Sequence, residues 1–289
     1  MPSRTPFVSF AQNGEDVVLA RVLSGVEIGN YVEVGANHPT LDSVSRSFYD
    51  RGWSGIAVEP NPSFAAAFRA ARPRDRLIEA ACTDSPEPTI TLHLIEGTGL
   101  SSVIDAIGLN HAEQGYTVTD IVVPTIRLDA AISADSMSGE PIHFLLVDTE
   151  GAEQFVLRSI DLTLVRPWII IVEATAPGST TQTHASWEPG VLAAGYRFSL
   201  FDGLSRFYVA EEKWDELGEA ISYPACVLDL YITAEMLHLR ESHADCEQGQ
   251  EATAIALNAA RDEAIALRHT LSWRLTKPLR ALRRLTGRH

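Results

Sequence analysis

Tyr31-Val-Glu-Val-Gly-Ala-Asn37, followed by Gly55-Ile-Ala-Val-Glu-Pro60, decides the fold. In the first block an apolar run carries one acidic residue and ends at a glycine turn. In the second, another apolar run ends at Glu59, 24 residues beyond Gly35. Short, nearly continuous apolar runs bounded by turns are the mark of parallel strands buried on both faces. In a doubly wound α/β domain such strands bring a nucleoside to their carboxyl ends. The second carboxylate then accepts hydrogen bonds from the ribose hydroxyls, usually about 20 residues after the glycine.

The turn itself narrows the ligand. A dinucleotide turn needs later glycines so that backbone amides approach a pyrophosphate. Here Gly35 is followed by Ala36, Asn37, His38, Pro39 and Thr40, and Pro39 has no N–H to offer. The expectation is a nucleoside cofactor without phosphate, S-adenosyl-L-methionine. Its binding set is Glu33, Gly35, Ala36, Asn37, Glu59, Pro60, Asp84 and Asp148. Glu33 is assigned to the methionine portion, Glu59 to the ribose, and Asp84, past the third strand, to the adenine amino group.

Working outward, strands are expected at Tyr31–Val34, Gly55–Glu59, Leu77–Ala81, Thr89–Ile95, Asp120–Val123, Ile142–Val147, Trp168–Val172, Tyr196–Phe201 and Arg206–Ala210. Helices are expected near Gln12–Leu23, Ser43–Asp50, Phe64–Ala71, Glu153–Ser159 and Trp187–Ala194. Strands alternating with helices imply a mainly parallel sheet covered on both faces, and the last two strands form an antiparallel edge hairpin. Residues 97–115, with several glycines and serines, read as a loop that holds a short helix and folds over the cofactor at Leu100-Ser-Ser102. Gln12, Glu15 and Asp16 approach the same region from the first helix. The domain is placed at residues 1–230. Residues 231–289 form an extension, with a long alanine-rich helix over Glu251–Leu271 and a basic end.

The totals set limits. The chain has 289 residues, 45% of them hydrophobic, and a formal net charge of −15. That charge disfavours nucleic acid as a partner of the body of the protein. Three cysteines, Cys82, Cys226 and Cys246, stand far apart, which argues against a disulfide framework or a zinc site and for a reducing compartment. No signal-like start and no apolar run of about 20 residues is seen, so a cytoplasmic protein is expected.

Five blocks carry a wider resemblance: Ser9-Phe-Ala-Gln-Asn-Gly-Glu-Asp16, Tyr31–Asn37, Phe48-Tyr-Asp-Arg-Gly-Trp-Ser-Gly-Ile-Ala-Val-Glu-Pro60, Phe144-Leu-Leu-Val-Asp-Thr-Glu-Gly151 and Asp202-Gly-Leu-Ser-Arg-Phe-Tyr208. In order and spacing they resemble the FkbM-type methyltransferases over roughly residues 7 to 230. The resemblance implies a class I, Rossmann-like fold with a seven-stranded sheet. It implies O-methylation dependent on S-adenosylmethionine, of a sugar hydroxyl on a glycan, glycolipid or glycosylated natural product, in bacterial surface polysaccharide biosynthesis. Thr149 replaces the family's usual valine in Asp-Val-Glu-Gly, a nearly isosteric exchange. Ser205 stands where asparagine is common, which bears on the acceptor.

Methyl transfer to a hydroxyl needs the oxygen held at near-attack distance, and it benefits from a base. His184, in the loop after the strand ending at Glu173, leads as the base, followed by His38 and Asp148. Glu150, Glu173, Asp202 and Arg206 are assigned to the acceptor. No metal is expected; Asp148, Glu150 and Glu173 would be its oxygen ligands if one were used. At the basic end Trp273, Leu275, Leu279, Leu282 and Leu285 interleave with Arg274, Lys277, Arg280, Arg283 and Arg284. That pattern suits peripheral contact with the inner face of the cell membrane, or a glycosyltransferase partner. Two rivals stand beside the enzyme: a scaffold that binds the cofactor without chemistry, and a nicotinamide-dependent sugar dehydrogenase or epimerase.

Overall fold

The computed structural model describes residues 6–95, 97–134 and 139–269, together with 273 and 276. Two compact units divide between Thr233 and Ala234. In the first, β1 (Phe7–Ser9) leads to α1 (Glu15–Val22), and then β2 (Asn30–Val34), α2 (Arg46–Asp50), β3 (Ser54–Val58), α3 (Pro62–Ala71) and β4 (Arg76–Ile78) alternate. Next come β5 (Ala81–Cys82), β6 (Thr89–Ile95), α4 (Asp105–Glu113), β7 (Val118–Ile126) and α5 (Leu128–Ser133). Alternation resumes with β8 (Phe144–Val147), α6 (Glu153–Arg158), β9 (Ile169–Glu173), α7 (Glu188–Ala193), β10 (Tyr196–Phe201), β11 (Ser205–Ala210), α8 (Trp214–Leu217) and β12 (Tyr231–Thr233).

The main sheet has seven strands in the order β10-β11-β9-β8-β2-β3-β4. It is mixed. Pairings from β9 through β4 are parallel, while β11 runs antiparallel to both β9 and β10. From β2 the chain winds outward to β3 and β4, and later from β8 to β9 on the other side. The strand order therefore reverses between β2 and β8, where open α/β sheets bind ligands.

Period-two alternation explains the two-faced core. Val32, Val34, Ile56, Val58, Leu145, Val147, Ile170 and Val172 point to one face, against Leu128, Val156, Trp187 and Val191. Tyr31, Phe144, Leu146, Ile169, Ile171 and Phe207 point to the other, against Val18, Leu19, Phe48 and Trp53. Both faces are buried, so the strands read as nearly continuous apolar runs.

The structure corrects the expected third strand. Ala80 N donates to Ile78 O at 3.2 Å, a three-residue turn that ends β4 and releases the chain from the main sheet. Ala81–Cys82 then pairs with β7, and Thr89–Ile95 and the strand containing Asp120–Val123 join them in a separate three-stranded sheet, β5-β7-β6. α5, α8 and the parallel pair β1–β12 have no counterpart in the sequence reading.

The second unit contains α9 (Ala234–His269), a helix of 36 residues that begins well before the expected Glu251. Among the described residues no helix is long and apolar enough to cross a membrane. The basic segment 271–289 lies outside the described residues, apart from Trp273 and Thr276.

Candidate active site

A cleft of about 210 Å³ opens at the carboxyl ends of β2, β3 and β8. Gly35 makes it possible. Its φ is +80°, and a Cβ there would lie 1.7 Å from the carbonyl oxygen of Asp148. The residue must therefore lack a side chain for both reasons, and strand ends β2 and β8 touch through its backbone.

The amides of this turn are already engaged. Gly35 N and Ala36 N both donate to Val58 O, at 2.9 and 3.2 Å. Asn37 N donates to Glu59 Oε2 at 2.7 Å, and Asn61 N donates to Glu59 Oε1 at 2.7 Å. Glu59 thus ties the two turns together with one lone pair on each oxygen and keeps the others beside the cleft. A pyrophosphate would find no free amides at Gly35, Ala36 or Asn37. The residues fit an adenosyl group without phosphate.

Glu33 lines the cleft too, backed by a buried network. Its Oε2 accepts from Ser45 Oγ at 2.5 Å. Arg72, 1% exposed, donates to Ser45 Oγ at 2.8 Å, to Ser43 Oγ at 2.6 Å and twice to Pro39 O at 3.0 and 2.7 Å. One guanidinium thereby fixes the segment from Pro39 to Ser45 that follows the glycine turn. Its charge also balances Asp75, 3.5 Å away. The sequence reading missed Arg72, whose only local signal is an arginine at the end of an apolar helix.

The loop before α4 covers the cleft through Gly99, Leu100, Ser101 and Val103. Two contacts latch it: Ser102 Oγ donates to Glu150 O at 2.8 Å, and Gly99 packs so closely on Asn37 that a Cβ would lie 2.3 Å from Nδ2. Gln12 also reaches the cleft. Asp16 does not; Ser9, Ser47 and Phe10 N all donate to its carboxylate, making it an internal brace. Glu15 is occupied in the same way by Asn13 N, at 3.0 Å.

After β8 the chain passes through Asp148 and turns at Glu150 and Gly151, with φ of +51° and +96°. Glu153, missed in the sequence, holds this turn by accepting from Gly151 N at 2.9 Å and Thr149 N at 3.2 Å. Asp148, Glu150 and Glu173 converge, each with a carboxylate oxygen within 4.8 Å of the others. Burial raises the pKa of all three, and mutual repulsion adds to it for Glu150 and Glu173.

The other assigned residues divide. Gly35, Ala36, Asn37, Glu59, Pro60, Glu33, Asp148 and Glu150 line the cleft. Asp84 is not among the lining residues, which at that strand end are Ala81 and Cys82. His38 is not among them either; its Nδ1 accepts from Thr40 N and Leu41 N at 3.2 and 3.0 Å, so the lone pair a base would use is occupied. His184 begins a 3₁₀ turn, His184–Ser186. The bond from Thr183 N to Ala174 O, 2.8 Å, brings that turn back to the end of β9 beside Glu173. Its Nε2 stands 3.7 Å from Glu188 Oε2, and its buried Nδ1 has no hydrogen-bond partner. Arg206 is committed to Glu188, donating from Nη2 at 2.7 Å and Nε at 3.1 Å. Asp202 caps the β10–β11 turn by accepting from Ser205 N and Leu204 N, while its buried Oδ2 lacks a partner.

Buried carboxyls set a pH dependence. Burial pushes Glu15 up to about 8, further raised by Asp202. Burial also pushes Glu33 and Glu59 up to about 7, against the opposing pull of Arg72 on Glu33 and of the Asn61 and Asn37 amides on Glu59. Each folded value lies above the unfolded 4.5, so the folded state binds more protons between about pH 4.5 and 8. Stability is therefore fullest on the acid side of that window and is lost as pH rises through the folded values. The ligand-free protein should melt at a higher temperature at pH 6 than at pH 8.5. A melting temperature that is flat or climbs with pH would contradict these assignments.

The family model described as Methyltransferase FkbM domain matches residues 33–198, more than half of the chain. A search of curated proteins found no match. Among solved structures, a TehB-like SAM-dependent methyltransferase from Corynebacterium glutamicum overlaps 67% of this chain and 87% of its own. Its TM-score is 0.37 and its identity 8%, too low to bear on the argument.

Proposed function

Because the chain belongs to the FkbM methyltransferase family, we propose that it is an S-adenosylmethionine-dependent O-methyltransferase. Its acceptor in this reading is a sugar hydroxyl on a glycan, glycolipid or glycosylated natural product of bacterial surface polysaccharide assembly. The observation that carries the reading is the commitment of the Gly35, Ala36 and Asn37 amides within the protein, while Glu59 and Asp148 line the cleft. Recognition there falls to carboxylates and apolar walls, which suits an adenosyl group and a positively charged donor.

When bound, S-adenosylmethionine supplies an activated methyl group. Glu59 offers its remaining lone pairs to the ribose hydroxyls, and Pro60, Phe64, Ala81 and Leu92 provide apolar surface for the base. Leu100 and Ser101 exclude water from above. The acceptor hydroxyl lies toward Asp148 and Glu173. His184 takes its proton: Glu188 beside Nε2 favours the tautomer that leaves the Nδ1 lone pair free. The unpartnered Thr183 Oγ1 and Asp202 Oδ2 supply further polar atoms for a hydroxylated acceptor.

The test is transfer of radiolabelled methyl from S-adenosylmethionine to a panel of saccharides and lipid-linked glycans, with mapping of the methyl ether. Exchanging His184 for alanine should lower turnover by roughly 10²–10⁴-fold and leave cofactor affinity unchanged. Full turnover in that variant would remove His184 from the chemistry. Absence of transfer to every hydroxylated acceptor would count against the sugar assignment.

A further inference from the structure

The three clustered carboxylates have an arrangement that their spacing in the sequence does not demand. Asp148 and Glu150 come from the turn after β8, and Glu173 from the end of β9, yet one oxygen of each lies within 4.8 Å of the other two. Oxygen ligands on opposite sides of a hard cation, at bond lengths of about 2.1–2.4 Å, are themselves about 4.2–4.8 Å apart. The three oxygens fall within that span.

A second observation points to what fills it. Glu173 is only 8% exposed, and its Oε2 has no hydrogen-bond partner. The buried Oε2 of Glu150 also has none. By contrast, Glu33 is served by Ser45, Asp16 by two serines and an amide, and Glu59 by two amides. Arg21, Arg46, Arg69, Arg72, Arg127, Arg166, Arg197, Arg206 and Lys213 pair with other carboxylates, none of them with Asp148, Glu150 or Glu173. Asp148 and Glu173 meet closely enough to share a proton, yet Glu173 Oε2 and Glu150 Oε2 keep no partner. Three carboxyl groups around one point, with those oxygens unserved and no lysine or arginine paired to them, form a donor set that can hold a cation in place of that proton.

We propose that Asp148, Glu150 and Glu173 bind a divalent cation of the magnesium or manganese class, and that its open positions hold the acceptor hydroxyl. All-oxygen carboxylate ligation selects such hard ions over zinc or copper. The role given to the acceptor rests on the methyl-transfer reading; binding of the cation does not.

The experiment uses the full-length protein, freed of metal with EDTA and titrated with MnCl₂ while free Mn²⁺ is followed by electron paramagnetic resonance. A single saturable site is expected, with Mg²⁺ displacing the bound Mn²⁺. Glu173→Gln and Glu150→Gln should each weaken binding at least tenfold, the second standing in if the first does not fold. Asp50→Asn, a surface carboxylate paired with Arg46, should leave binding unchanged. Manganese should raise the melting temperature of the wild type and leave that of Glu173→Gln unmoved. Absence of saturable binding at millimolar Mn²⁺, or equal binding by both glutamine variants and wild type, would overturn the proposal. Cofactor binding and methyl transfer that persist in EDTA without Mn²⁺ binding would sink the cation alone. Mn²⁺ binding without methyl transfer would uphold the site and remove its link to the acceptor.

Discussion

Replacing Arg72 by methionine should destabilise the protein by about 3–5 kcal/mol, the range for removing one partner of a buried charge network. The guanidinium is fully enclosed and supplies donors to Pro39 O, Ser43 Oγ and Ser45 Oγ, with Asp75 at 3.5 Å. Without it Asp75 is a buried charge with only Tyr31 and Gly55 as hydrogen-bond partners, and Ser45 loses the donor that holds it against Glu33. Lysine should recover only part of the loss, because an ammonium cannot reproduce the planar fork. Urea unfolding gives the measurement. A methionine variant within about 1 kcal/mol of wild type, the level of an exposed pair, would show that the network is not a structural brace.

Gly35→Ala should be as damaging by a different route. The positive φ alone costs on the order of 1–3 kcal/mol for a residue with a Cβ. The added atom must also displace the Asp148 carbonyl, with which it would overlap at 1.7 Å. Strand β2 cannot stay paired with β8 in its present register unless that contact opens, so the variant should lose several kcal/mol and its cofactor affinity together. Gly52→Ala separates the two effects. Gly52 has φ of +97°, and a Cβ added there would meet nothing within 4 Å, so only the backbone cost applies, about 1–3 kcal/mol. Equal stabilities for the two alanine variants would show that the close approach at Gly35 does not matter.

Much of this was legible because it is local. The β2 and β3 runs, the glycine turn and Glu59 occupy contiguous stretches whose apolar period and terminal residues announce buried strands and a cleft beside them. The parity of apolar residues even separates the two core faces. What the chain hides is non-local. Arg72 meets partners 27 to 33 residues away, and nothing near it in sequence marks it as buried. The break between Ile78 and Ala81 depends on one short turn, and an apolar run does not reveal which sheet it joins. The Asp148, Glu150 and Glu173 cluster needs β8 beside β9, so nothing in the sequence spacing demands a metal there. His38 is the converse case: its position next to the glycine turn suggests chemistry, and its ring nitrogen accepts from two backbone amides.

The central claim is that the cleft beneath β2 and β3 takes an adenosyl group without phosphate through Glu59. Isothermal titration calorimetry with S-adenosylmethionine and with NAD⁺, on wild type and Glu59→Gln, tests it most directly. Glutamine retains an acceptor for a backbone amide but loses the charge that the ribose hydroxyls meet. The expected result is one-to-one binding of S-adenosylmethionine to wild type, about 1–3 kcal/mol weaker in the variant, and no measurable heat with NAD⁺. Tight NAD⁺ binding, or the same S-adenosylmethionine affinity in both proteins, would contradict it.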